Sequence, residues 1–149
     1  MRLPEAIGAR EIIIGVVAIA VLLVAAIPLF GYVGNQSRAA EVPLIVEAIR
    51  AREISEAKNF GEGYISADWA PRQPTQLDTS SVPWTSNAGF DRLGFVPEES
   101  ELYGTYRVAA QPADFTVTGR CDLDGDGAHM WYEATLESTA QRKSEPGVY

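Results

Sequence analysis

The chain has 149 residues, 46% of them hydrophobic, with a formal net charge of −8 and one cysteine. That length allows one modest domain plus an accessory segment, and a single thiol excludes an intrachain disulfide framework. Six acids balance six bases up to Phe60, so residues 61–149 carry the whole negative excess; lacking clustered Lys and Arg, that half is not predicted to bind nucleic acid.

Residues 1–10 read as a short leader or cytoplasmic segment. From Glu11 to Arg38 no other charged side chain occurs, and Ile12 to Val33 is almost wholly aliphatic. At 1.5 Å per residue this run is long enough to cross a hydrocarbon core of roughly 30 Å, and a transmembrane helix is expected. The apolar core of a secretory signal peptide is shorter, at about 7–15 residues. Arg2 and Arg10 precede the run, which places the N-terminus in the cytoplasm and the rest of the chain across the membrane.

The helical period continues past the apolar run. Val42, Ile45, Val46 and Ile49 recur at the i, i+3, i+4, i+7 spacing, while Glu41, Glu47, Arg50, Arg52, Glu53 and Glu56 are assigned to the solvated side. Asn59 to Gly63 supplies a stop, with Gly61 as the cap. Glu11 to Lys58 is therefore expected as one rod on the order of 70 Å long, with Pro28 and Pro43 as sites of bending; the alternative is an anchor followed by a separate juxtamembrane helix.

Residues 61–100 carry Pro71, Pro74, Pro83 and Pro97 among small polar residues and read as a long surface connection. Trp69, Trp84, Phe90, Leu93 and Phe95 are expected to dock it onto the domain. Three strands follow: Leu102 to Ala109, Asp114 to Cys121 and His129 to Glu137. In the second, Phe115, Val117 and Cys121 share one face, and Thr116, Thr118 and Arg120 the other. An antiparallel sheet with one apolar face needs a cover, and the amphipathic half of the rod is the long helix available. The expected fold class is α+β, a long N-terminal helix packed on a small antiparallel head. The tail from Thr139 to Tyr149 reads as loosely ordered.

Between the second and third strands, residues 121–127 read CDLDGDG. Asp122, Asp124 and Asp126 alternate in a glycine-rich turn, where carboxylate oxygens suit a hard cation such as calcium. Glu133 completes the D-x-D-x-D-G-x5-E pattern on paper. Strand spacing, however, sets it on the order of 15–20 Å from the turn's tip. Two readings stay open: a hairpin turn favoured by Asp-Gly pairs, and a calcium-stabilised turn. With one histidine, His129, and one thiol, Cys121, no zinc spacing, phosphate loop or nucleophile elbow occurs, and no enzyme is expected.

The stretch EIIIGVVAIAVLLVAAIPLF and its continuation SRAAEVPLIVEAIRAREISEA resemble type IV pilins and pilin-like proteins. In that family a leader is removed by a prepilin peptidase, the new N-terminal residue is methylated, and a glutamate stands fifth with a proline seventeen positions further on. Glu11 and Pro28 have that separation. Aligning on Glu11 puts the cut between Ala6 and Ile7; the nearest glycine offers the alternative cut between Gly8 and Ala9.

The resemblance implies a pilin-like fold and a subunit of an extracellular filament. Such a subunit is a homopolymer handled by pilus assembly machinery, held in the inner membrane before assembly, with Glu11 and Pro28 as assembly residues. Major pilins, minor pilins and secretion pseudopilins share these features. The alternative expectation is a single-pass, membrane-anchored extracytoplasmic binding domain that does not polymerise.

Overall fold

The computed structural model describes residues 17–19, 34–61 and 63–149. Residues 35–149 form one compact unit. Its long helix, α1 (Glu41–Phe60), ends at Gly61, whose N–H returns to the Ala57 carbonyl at 3.1 Å. Residues 35–39 are also helical, and a turn at Ala40 separates them from α1. Pro43 accounts for the break, because it has no N–H to offer the Ala39 carbonyl.

The remaining elements are β1 (Ala67–Ala70), a 3-10 turn (Pro74–Gln76), β2 (Val82–Pro83), α2 (Ala88–Leu93), β3 (Glu101–Leu102), β4 (Thr105–Ala110), β5 (Phe115–Cys121), β6 (Met130–Thr135) and β7 (Gln141–Arg142). Five strands form one antiparallel sheet in the order β1-β4-β5-β6-β7, and β2 pairs with β3 separately.

The expectation of a rod with a membrane-crossing half is corrected here. Among the described residues no helix is long and apolar enough to cross a membrane, and the long helix shown is the 20-residue amphipathic α1. The apolar run lies outside the described residues apart from Val17–Ile19, which are helical. The head also holds more strand than the sequence pattern suggests. β1 comes from the proline-rich connection, where a four-residue strand is too short to display alternation. β7 comes from the tail, which is pinned: Leu123 N–H donates to the Tyr149 carbonyl at 2.9 Å, and the Arg142 guanidinium donates to the carbonyls of Glu145 and Val148 and stacks over Tyr149.

α1 covers one face of the sheet. Val42, Val46 and Ile49 are completely buried and Ile45 nearly so, against Tyr106, Val108, Phe115, Val117, Cys121, Met130 and Ala134. Each fully buried side chain of this size contributes roughly 1.5–3 kcal/mol. Gly119, paired with Tyr106 on one side and Tyr132 on the other, makes the close approach feasible. A Cβ there would stand 2.6 Å from Val46 Cγ2 and 2.9 Å from Val42 Cγ1.

Charged residues of α1 that the helical pattern assigns to solvent act as clamps. The Glu41 carboxylate accepts from Tyr103 N–H, Gly104 N–H and the Tyr106 hydroxyl at 3.0, 3.1 and 2.7 Å. Glu47 accepts from Ala140 N–H at 3.1 Å. Arg50 donates to the Thr135 and Leu136 carbonyls at 2.6 and 2.9 Å, and Arg52 to the Leu93 carbonyl at 2.9 Å. The connection 61–100 docks through α2, capped by Asn87, with Trp84 edge to face against both Phe90 and Phe95, which tilt against each other.

Candidate metal centre

Pairing of β5 and β6 runs to Cys121 opposite Met130, so residues 122–129 form the connecting loop. The loop is anchored at its start and exposed at its tip: Leu123 is 2% exposed and tied to Tyr149, while Asp124 and Asp126 on either side of Gly125 face solvent. Asp122 is 4% exposed and turns its carboxylate into the loop. Its Oδ1 accepts from Gly125 N–H at 2.8 Å and its Oδ2 from Gly127 N–H at 3.0 Å. Both glycines have left-handed backbones, φ 73° and 81°, which a side chain would strain. Asp126 Oδ1 accepts from Ala128 N–H at 2.7 Å.

This backbone brings together the three predicted aspartates, with one carboxylate oxygen from each lying within 4.8 Å of the others. Burial, together with the neighbouring Asp126 and Asp122 carboxylates, raises the Asp124 carboxyl above its ordinary value. An oxygen-only donor set with mutual repulsion suits a hard divalent cation. Each Asp122 oxygen takes a single N–H, leaving acceptor capacity toward a ligand. Glu133 stands in β6 opposite Thr118 and Gln141 and is no part of the loop. Cys121 is a fully buried free thiol, pushed up to about 12 by burial first and then by Glu41 and Asp122.

The other predicted site residues, Glu11, Pro28, Ala6, Ile7, Gly8 and Ala9, lie outside the described residues.

One ionisable group escaped the sequence reading. Glu53, placed there on the wet side of the helix, is 0% exposed. Its Oε2 accepts from Ile65 N–H at 3.1 Å, while Oε1 has no hydrogen-bond partner. Burial, opposed by the Ile65 bond and aided by Glu56, pushes it up to about 7. The signal was present, since Val42, Val46, Ile49 and Glu53 follow one another at helical spacing along a single stripe.

No family model, curated protein or solved structure matches this chain.

Proposed function

We propose that this chain is a structural subunit of a type IV pilin-like extracellular filament, assembling with its own copies through the apolar N-terminal segment. The observation that supports the reading is α1. Downstream of a long charge-free aliphatic run, the helix lays Val42, Ile45, Val46 and Ile49 over one face of an antiparallel sheet. The aliphatic side chains of residues 12–33 need apolar neighbours, and identical segments supply them. Glu11 then neutralises the α-ammonium of an adjacent processed copy, which offsets the cost of burying both charges. Replacing Glu11 with Ala is expected to leave the head folded and to remove filaments from the sheared extracellular fraction. Filaments at wild-type yield would overturn the role, and a chain recovered as an uncut, cell-associated monomer supports the anchored binding domain instead. Intact mass of the mature chain distinguishes the Ala6–Ile7 cut from the Gly8–Ala9 cut and reports methylation.

The aspartate loop, in the same reading, is a calcium-stabilised turn, and the convergence of its three carboxylates within 4.8 Å supports this. Calcium at roughly a hundredfold excess over its dissociation constant would stabilise the fold by about 2.7 kcal/mol. Calorimetry and thermal melts check it: heat of binding and a raised Tm in the wild type, both lost in Asp124→Asn/Asp126→Asn. Absence of heat with an unchanged Tm leaves a turn held by the Asp122 and Asp126 hydrogen bonds without a cation.

A further inference from the structure

The sheet face opposite α1 carries an alternation of rings and cations. Trp69 of β1, Arg107 of β4, Arg120 of β5 and Trp131 of β6 lie side by side there. The Arg107 and Arg120 guanidiniums stand 5.6 and 5.4 Å from the centroid of Trp69, and Arg120 also stands 5.4 Å from that of Trp131. Stacking on the indoles fixes both side chains and leaves their N–H edges unspent, because a cation over a ring face uses its charge and not its in-plane donors.

Those edges find nothing among the described residues. Neither arginine takes part in an ion pair or hydrogen bond with a described residue, and Arg120 Nε is buried without a partner. The acids of this face are Glu133, cross-strand from Thr118, and Asp68, whose Oδ1 accepts from Trp69 N–H at 2.8 Å. In a chain of net charge −8, two pre-oriented and unpaired guanidiniums mark a place for carboxylates.

The complementary surface is elsewhere on the same chain. After α2, Val96 is 75% exposed and is followed by the exposed Glu98 and Glu99. The ridge is held in place, with Phe95 buried before it and the Ser100 carbonyl accepting from Trp84 N–H at 3.1 Å after it. One apolar tip and two carboxylates match an indole face and two guanidinium forks.

We infer that the Trp69–Arg107–Arg120–Trp131 face docks the Val96–Glu99 ridge of a second copy of this chain, a contact between heads. The contact pairs two different patches of the chain, the face of one copy on the ridge of another. It deepens the filament reading and rests on it for its setting, but it needs nothing from the apolar segment.

The test is sedimentation of the full chain in detergent, with Glu11→Ala as the background and divalent ions chelated. In that background the proposed role of Glu11 cannot contribute to association. Association is expected to weaken about tenfold or more between low and high salt. Arg107→Glu/Arg120→Glu and Glu98→Lys/Glu99→Lys should each lose it, and an equimolar mixture of the two variants should recover it, since each then offers the other a matched pair. The ridge variant changes exposed residues only, so it decides the question even if the face variant fails to fold. Salt-independent association, a ridge variant that associates like the parent, or a folded mixture that stays monomeric overturns the inference. A monomeric chain that binds poly-L-glutamate through Arg107 and Arg120 overturns the second copy as the occupant. Loss of filaments in Glu11→Ala with the head contact intact separates this inference from the filament reading.

Discussion

Glu53 shows how one residue couples the head to pH. Its carboxyl is raised to about 7 in the fold, whereas the unfolded chain keeps an ordinary value near 4.5. The folded state therefore holds its proton more tightly, so the stabilisation is present below about 4.5 and lost as pH rises through 7. Glu53→Gln keeps an oxygen acceptor for Ile65 and removes the buried charge. It is expected to raise stability by about 1–2 kcal/mol at pH 8 and to change it little at pH 4, as read from paired denaturant melts. Gly119 makes the opposite point, that a missing side chain can matter as much as a present one. Gly119→Ala puts a methyl into Val46 and Val42, and a loss of about 1–3 kcal/mol is expected from overpacking, measured as a lower denaturant midpoint at constant slope.

At the scale of elements, α1 is held by its charges as well as its apolar stripe. Glu41 satisfies three donors at the β3–β4 junction, one of them the hydroxyl of the completely buried Tyr106. That carboxylate also adds to burial in raising the Tyr106 phenol well above its ordinary value. Glu41→Ala orphans all three donors and is expected to cost about 2–5 kcal/mol. Hydrogen exchange checks it: the amides of Tyr103 and Gly104 should lose protection before those of central β5. The apolar side of this packing was legible in the sequence, because Val42, Ile45, Val46 and Ile49 repeat with the helical period and Phe115 to Cys121 with the strand period. The clamps were not, because nothing in a charged residue's local pattern tells whether it will meet water or an orphaned backbone group some 40 to 90 residues away. Glu53 differs, because its place on the buried stripe was legible and its charge outweighed that position.

For the molecule as a whole, the head is a helix laid across a five-stranded antiparallel sheet, and one helix covering one sheet face followed from the pattern. The extent of that helix did not, since aliphatic composition at residues 12–33 was read as one rod with α1, while the ladder opens at Ala40, ahead of Pro43. The sheet's width also exceeded expectation, because β1 and β7 are four and two residues long and rest on pairing with β4 and β6. The aspartate loop was the most legible part of the candidate site, since its ligand types are adjacent in sequence. The Arg–Trp face was not, because its members come from four strands and meet only when the register is fixed.

The clamps along α1 also determine how the head bears load. Glu41, Glu47, Arg50, Arg52 and Glu53 grip backbone groups at five separate places over thirteen residues of helix. A pull along the axis of α1, applied where the chain enters it, therefore strains these bonds together and not one after another. Such an arrangement fails in shear, at higher force than a hairpin peeled from its end, and the helix leaves the sheet as a single mechanical event.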